Sequence, residues 1–489
     1  MDNTNSKVLS NFIWRFLERC GAQGVTFVVS IVLARLLAPE VYGVVALVTV
    51  FTSILGVFTD SGLANALIQK KDADDVDFSS VFYFNVAICL FLYVCLFLAA
   101  PFIAAYYEIP ELTALVRVSG LSLIISGVKN VQQAFVAKNL IFKKFFFATL
   151  GGTIGAAVIG IWMAYNGYGV WALVTQELFN MTVDTIILWI TVKWRPVWAF
   201  SFERLKELLS FGWKLLASTL LDKVYTSLTS LIIGKRYTTE DLAYYNKGER
   251  FPSLLNENIN ISITNVLLPA MSAQQDDREK IRSMTGRAIQ ISTYFMMPMM
   301  MGLAVCAEPL VRIVLTDKWL PCVPFLRIYC FTYAFYPVHT ANLNAIQAMG
   351  RSDIFLKLEI QKKIVGFTAI IATMFISVEA MAYSLPIVSV ICQIINSIPN
   401  SKMIHYSYLD QLKDMVPQIC LSCVMGAAVY CVLFLKLGDW VTLIIQVLLG
   451  IAIYLAGSVI FKFEIYDYSL GIIKNILGKV SGSKEENDD

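Results

Sequence analysis

Charged and hydroxyl-bearing residues recur at helical spacing inside two stretches that are otherwise apolar enough for a membrane. Asn11, Arg15, Arg19, Ala22, Thr26 and Ser30 fall on one face of a helix, with Glu18 beside it. Lys214, Ser218, Asp222, Tyr225 and Thr229 do the same, and Lys223 adjoins that stripe. Both patterns follow from steps of three or four residues. A later segment carries Lys247 and Glu249, then a face of Arg250, Ser253, Glu257, Asn260 and Thr264, with Pro252 expected to kink it. Thr49, Ser53, Gly56 and Asp60 line a further face. Charge at membrane depth is costly, so such residues face a bundle interior or a water-filled path. A cationic set of Arg15, Arg19, Lys214, Lys223, Lys247 and Arg250 suits a phosphate-bearing substrate, because Arg and Lys bind phosphate oxygens through charge-assisted hydrogen bonds. Asp60, Asp222 and Glu257 would balance charge or respond to a coupling cation, H+ or Na+, and Glu18 would partly neutralise the neighbouring cations. Trp14, Trp213, Tyr225, Tyr244 and Tyr245 could stack on sugar faces, although anchoring at the membrane interface is the commoner role. For each charged residue taken singly, a structural ion pair is an equal reading. Snorkelling to the headgroups suits Arg117, Arg287 and Arg327. The repetition of the device favours two related halves around a polar cavity, as in a transporter.

The elements that position these residues are set by composition. The chain is 57% apolar and 15% charged, whereas a soluble domain has about a quarter of its residues charged. Each membrane helix needs about 20 apolar residues. Val86 to Tyr107 has no charge, and Phe145 to Thr191 has only Glu177 and Asp184. These runs lack the alternation of barrel strands, so the expectation is an all-α polytopic membrane protein. Spans are expected at 11–36, 41–69, 78–105, 112–136, 145–165, 169–192, 207–234, 241–270, 284–306, 322–348, 356–378, 380–399, 413–435 and 440–461, fourteen in all. The odd-numbered connections hold only Arg35, Lys235, Arg236, Arg312, Lys318 and Lys436, while the even-numbered ones and the tail hold most of the remaining non-membrane Lys and Arg. The positive-inside rule then places both termini in the cytoplasm. Met1 to Ser6 is polar and no small-residue cleavage site follows, so the first helix is expected to stay in the membrane.

Several chemistries are disfavoured. There is no phosphate-loop motif, no His-Glu-x-x-His and no Gly-x-Ser-x-Gly. The longest outward connection, near Ala307 to Pro321, is short for a catalytic loop, so the chain is expected not to be an enzyme. Cys420 and Cys423 have redox or metal spacing but lie on an apolar span, and the cysteines are expected to be small core residues. His339 and His405 are far apart in sequence. No metal, cofactor or nucleic-acid partner is expected.

Ile31-Val-Leu-Ala-Arg-Leu-Leu-Ala-Pro-Glu-Val-Tyr-Gly43, Phe58-Thr-Asp-Ser-Gly-Leu63 and Ala66-Leu-Ile-Gln69 resemble the opening of Wzx-type polysaccharide exporters, of the multidrug/oligosaccharidyl-lipid/polysaccharide superfamily. Leu242-Ala-Tyr-Tyr-Asn-Lys-Gly-Glu-Arg-Phe251 is similar to that family's second-half motif, and the motifs are most like its WzxC-like group. The resemblance implies two pseudo-symmetric six-helix lobes around a central cavity, at 1–200 and 201–410. It adds two helices at 411–465 and a cytoplasmic tail at 466–489. It further implies a flippase of the bacterial inner membrane that moves undecaprenyl-pyrophosphate-linked oligosaccharide by alternating access, for O-antigen, capsule or exopolysaccharide. Its partners would be membrane lipid, the lipid-linked oligosaccharide, a polysaccharide polymerase and a chain-length regulator. Internal identity is sparse: at an offset of 200, Ser30/Ser230, Glu40/Glu240 and Phe51/Phe251 match. A drug/cation antiporter of the same superfamily would favour an acidic cavity with few cations, and a lipid II flippase would share the architecture. A membrane polymerase would need a long periplasmic loop.

Overall fold

The computed structural model describes residues 21, 23–59, 62–139, 141–463 and 465–466. The described chain is helical, and it falls into two compact units, residues 1–243 and 244–489. The first unit holds α1 (Gln23–Leu36), α2 (Pro39–Thr59), α3 (Leu63–Gln69), α4 (Asp75–Tyr107), α5 (Leu112–Ser119), α6 (Leu121–Lys138), α7 (Phe142–Tyr165), α8 (Val170–Thr191) and α9 (Phe202–Arg236). Helix α10 (Thr239–Ser272) starts in the first unit and continues into the second. The second unit adds α11 (Arg278–Val305), α12 (Ala307–Leu315), α13 (Val323–Ala334), α14 (Tyr336–Ala348), α15 (Ser352–Thr373), α16 (Val378–Met403), α17 (Tyr408–Cys431) and α18 (Asp439–Ile460).

Among the described residues, eight helical stretches are long and apolar enough to cross a membrane by length and composition: α2, α4, α5 with α6, α7 from Ala148, α11, α16, α17 and α18. The chain is a multi-pass membrane protein. The first expected span, 11–36, lies partly outside the described residues, and its described part is the short apolar α1; the others coincide with helices whose apolar runs are interrupted. Glu177 and Asp184 lie in α8, charged residues punctuate α9, α10 and α15, and α13 and α14 are two short helices meeting at Phe335. The second expected span, 41–69, is likewise two helices. Gly62 has φ +69°, a left-handed conformation that glycine adopts without strain, and it separates α2 from α3. Helix α10 runs through both Pro252 and Pro269.

Helix ends are fixed by side chains suited to orphan backbone groups. Asp74 accepts from the backbone N–H groups of Val76 and Asp77, and Asp77 accepts from Asp74 N, closing a capping box at the start of α4. Ser407 and Asp410 do the same for α17. The α4 box is also a charge cluster: Lys70 lies 3.1 Å from Asp77 and 3.3 Å from Glu207, and Arg204 lies 2.6 Å from Asp74. Lys138 donates to the carbonyls of Leu67 and Lys70 at the end of α3. One end of α3, α4, α6 and α9 is thereby pinned together.

In lipid there is little hydrophobic drive between helices, so close packing and polar contacts decide their association. Helix α7 places glycines against α8: a Cβ on Gly152 would lie 2.8 Å from Asn180 Oδ1, one on Gly155 2.8 Å from Phe179, and one on Gly160 3.0 Å from Gln176. A second close approach joins the head of α2 to that of α10, where a Cβ on Gly43 would lie 1.8 Å from the Thr239 carbonyl oxygen. The nine described cysteines are free. Cys89, Cys306, Cys322, Cys330 and Cys392 are buried, but Cys95, Cys420, Cys423 and Cys431 are exposed on helix surfaces. That corrects the expectation of core cysteines, because a small thiol suits a lipid-facing surface as well as a core.

Candidate functional site

The expected site residues are distributed unevenly over the described chain. Arg15, Glu18, Arg19 and Asp60 lie outside the described residues, as does Trp14. Lys214 occupies α9, with its side chain outside the described set. On the same helix Asp222 is exposed and Lys223 half-buried, and Thr226 Oγ1 donates to both their carbonyls. As sequence neighbours these two side chains leave α9 in different directions.

The α10 stripe emerges as one face in the second unit. Arg250 and Glu257 are exposed there, while Ser253, Asn260 and Thr264 are half-buried. Asn260 Oδ1 accepts from Thr340 Oγ1 at 2.7 Å, tying α10 to α14. Lys247 Nζ lies 5.1 Å from the Trp319 ring centre, a cation–π contact that keeps the ammonium beside the α12–α13 connection. Gly248 lets α10 lie close to α13, since a Cβ there would be 2.6 Å from Phe325. Glu249, outside the expected set of site residues, accepts a hydrogen bond from Tyr333 at 2.5 Å. Tyr245 is buried against Phe325 and Tyr329, so its ring is open neither to a sugar face nor to the membrane interface, and both expectations for it are corrected. Tyr244 packs edge-on against Trp319, and Trp213 is exposed on α9.

At the heads of α2 and α10 the offset-200 pair meets. The Glu240 carboxyl is pushed up by its hydrogen bond with Glu40 and by burial and the neighbouring carboxylate charge. Two carboxyls in contact share a proton more readily than they carry two charges.

Three further polar or apolar features were not singled out as sites by the spacing argument. Lys129 on α6 and Asp184 on α8 form a 2.5 Å ion pair whose side chains are 17% and 9% exposed. Asp184 Oδ1 has no hydrogen-bond partner. Both residues were visible as isolated charges in apolar runs, but nothing in the sequence paired them. On α14, α16 and α17 a buried polar group forms around His339, Asn342, Asn396, Asn400 and Gln411. Its signal was the run Ser389, Gln393, Asn396 and Asn400, spaced four, three and four residues apart. Finally, α11, α12, α17 and α18 border an open cavity of about 470 Å³, lined by Tyr294, Met299, Met425, Gln446, Gly450 and Tyr454. Its walls are almost wholly apolar, and they are braced by Tyr294 OH donating to Ser458 Oγ and Tyr454 OH to the Tyr294 carbonyl. A hydrocarbon chain is the chemical match for such a lining. Among the described residues, no group of three or more His, Cys, Asp or Glu side chains could hold a metal ion.

Residues 32–324 match the family model described as "Polysaccharide biosynthesis protein". The succinoglycan biosynthesis transport protein ExoT of Rhizobium meliloti (strain 1021) is 27% identical over 326 residues, which is 66% of this chain and 66% of ExoT. The lipopolysaccharide biosynthesis protein WzxC of Escherichia coli (strain K12) is 23% identical over 367 residues, 75% of each chain. Among solved structures, the lipid II flippase MurJ in an inward closed conformation superposes with a TM-score of 0.76 at 16% identity, covering 93% of this chain and 98% of that one. At that identity the likeness establishes the fold.

Proposed function

The chain belongs to the polysaccharide biosynthesis protein family, and from that premise we propose that it is a flippase for undecaprenyl-pyrophosphate-linked oligosaccharide. It works in the bacterial inner membrane with both termini cytoplasmic, by alternating access of two lobes, 1–200 and 201–410. Helices at 411–465 and the tail complete a fourteen-span protein. Its product feeds a surface polysaccharide, with a polymerase and a chain-length regulator as downstream partners.

The observation that carries the reading is chemical. The second unit combines basic residues on the polar side of α10, Lys247 and exposed Arg250, with an apolar cavity of about 470 Å³. A substrate with a pyrophosphate head and a long prenyl tail needs both: cations for the phosphate oxygens and hydrocarbon surface for the tail. Arg15, Arg19, Lys214 and Lys223 extend the cationic set on α9 and on the segment before α1. Glu18, Asp60, Asp222 and Glu257 balance it. The MurJ-like fold is shared by lipid II and oligosaccharide flippases, so it does not choose between them. The family, the transport role named for ExoT and the lipopolysaccharide biosynthesis named for WzxC favour a polysaccharide precursor.

The test is genetic and chemical. Arg19→Gln and Lys223→Gln, introduced separately in the producing strain, should abolish surface polysaccharide while the protein stays at its normal level in the membrane. Normal polysaccharide in both strains would overturn the assignment.

A further inference from the structure

His339 sits on α14 with its imidazole buried and both ring nitrogens engaged. Nδ1 lies 3.1 Å from Asn396 Nδ2, and Nε2 lies 3.3 Å from Ser389 Oγ. An amide nitrogen only donates, so Nδ1 accepts and the ring proton is on Nε2, directed at Ser389. Asn396 Oδ1 meanwhile has no hydrogen-bond partner. Half a turn of that amide exchanges Nδ2 for Oδ1 and presents an acceptor to a protonated Nδ1. The same pocket can therefore hold a neutral or a cationic imidazole with both nitrogens satisfied. A purely structural histidine needs only one of these arrangements.

The imidazole is also the end of a polar stripe. Ser389, Gln393, Asn396 and Asn400 occupy one face of α16, all buried, over about 16 Å of helix. Asn400 Nδ2 donates to Asn342 Oδ1 at 2.7 Å, Asn342 Nδ2 donates to Gln411 Oε1 at 2.8 Å, and Gln411 Nε2 returns a bond to Asn342 Oδ1 at 3.0 Å. Gln393 Nε2, Asn400 Oδ1 and Asn344 Nδ2 lack partners. Buried polar atoms of this kind are satisfied by ordered water where there is room for it, and at membrane depth such groups are tolerated where protein or water meets them. The stripe runs from His339 to the α16–α17 connection.

Lys362 on α15 faces the imidazole and is held by Glu359 at 2.5 Å. Tyr336 packs edge-on against the ring, Tyr333 follows on α13, and Cys392 lies on α16. The helices packed against α14 carry further charges: Arg278 to Lys280, Arg282 and Arg287 on α11, Arg327 on α13, Asp353, Lys357 and Lys363 on α15, Glu379 and Lys402 on α16, Glu257 on α10, and Asp410, Lys413 and Asp414 on α17.

We propose that His339 is a proton-binding site, reached through the α14–α16–α17 amide stripe, whose loading and release couple transport to a proton gradient. The coupling rests on the transport reading above; the site does not. Loading moves one proton from bulk water along the stripe to Nδ1, with Asn396 turning so that Oδ1 accepts the hydrogen bond of the new N–H and the Lys362–Glu359 pair adjusting to the new charge.

The chain has two histidines, His339 and His405, so protein labelled with ¹⁵N-histidine and held in lipid nanodiscs gives a readable spectrum. His405→Asn assigns the signals. As pH is lowered from about 9 through and below the range in which histidine switches, about pH 8 to 5, His339 should pass from one protonated ring nitrogen to two. Asn396→Leu removes the acceptor for the charged form and should lower that midpoint by about one unit, a tenfold weaker proton affinity. An imidazole that keeps a single Nε2 proton across the range overturns the site, as does a midpoint unmoved by Asn396→Leu. In cells, His339→Gln should remove the dependence of polysaccharide output on external pH, and an unaltered dependence overturns the coupling. The spectrum involves no sugar. A titrating His339 in a protein whose loss leaves polysaccharide normal would sink the flippase reading alone.

Discussion

Adding one methyl group at Gly43 should break the first unit at a single point. A Cβ there would lie 1.8 Å from the Thr239 carbonyl oxygen, 2.5 Å from its carbon and 2.9 Å from its Cα. Real Cβ atoms essentially never approach closer than 3.0 Å, so the heads of α2 and α10 must part by more than 1 Å. The obstacle is backbone on both sides, so no rotamer change can absorb it. Overpacking typically costs about 1–3 kcal/mol, and a backbone clash belongs at the upper end, about 3 kcal/mol. For a unit of this size each kcal/mol moves the melting temperature by about 2–4 °C, so Gly43→Ala should melt about 6–12 °C below the native chain. Gly56→Ala is the control. A Cβ at Gly56, on the same helix, meets nothing within 4 Å, and replacing a mid-helix glycine gains up to about 1 kcal/mol. Its melting temperature should stay level or rise. Fluorescence-detected thermal unfolding in detergent reads both. Gly43→Ala melting within a degree or two of Gly56→Ala would refute the close approach of the two helix heads.

Lys129→Met should destabilise the protein by about 3–5 kcal/mol, because it strands the Asp184 carboxylate without its ammonium. The double variant Lys129→Met/Asp184→Asn should recover most of that loss in the same melting assay. A double variant as unstable as the single one would show that the pair is not the relevant contact. The Asp74 carboxyl is held down to about 2, first by its hydrogen bond with the Arg204 guanidinium and then by the backbone groups it caps. A depressed carboxyl stabilises the fold above its ordinary value near 4 and loses that contribution as pH falls towards 2. The melting-temperature gap between the native chain and Asp74→Asn should therefore be full at pH about 5 and close as pH drops towards 2. A gap that does not narrow would contradict the ion pair. Its size will be small, since both side chains are about half exposed and screened.

Helices were far more legible in the sequence than faces. Long apolar runs such as Val86 to Tyr107 admit one structure in a bilayer, and α4 covers that run. Which side of such a helix meets lipid and which meets protein is another matter, because both environments are apolar. That is why Cys420 and Cys423 were placed in a core although they are exposed. Helix breaks were hidden for a related reason: hydropathy averages over Gly62 and over Phe335, where backbone angles rather than composition end the helix. For the site, the α10 stripe could be read because its residues follow one another at helical spacing. Lys129 with Asp184, and His339 with Asn396, are joined only by tertiary packing across 55 and 57 positions of chain. The α16 stripe was within reach of a spacing argument. It is faint because Ser, Gln and Asn carry no charge and interrupt an apolar run less visibly than lysine does.

The glycines of α7 bear on how the protein is made. Helix α8 is a poor candidate to leave the translocon alone, with Gln176, Glu177, Asn180 and Asp184 along its length. Gly152 and Gly160 seat Asn180 and Gln176 against α7, and only residues 166–169 separate the two helices. The pair can thus partition into lipid as one hairpin, its amides packed against α7, where α8 by itself would be retained or expelled. Bulk at Gly152 would then act during synthesis, marking the nascent chain for degradation before any transport cycle begins.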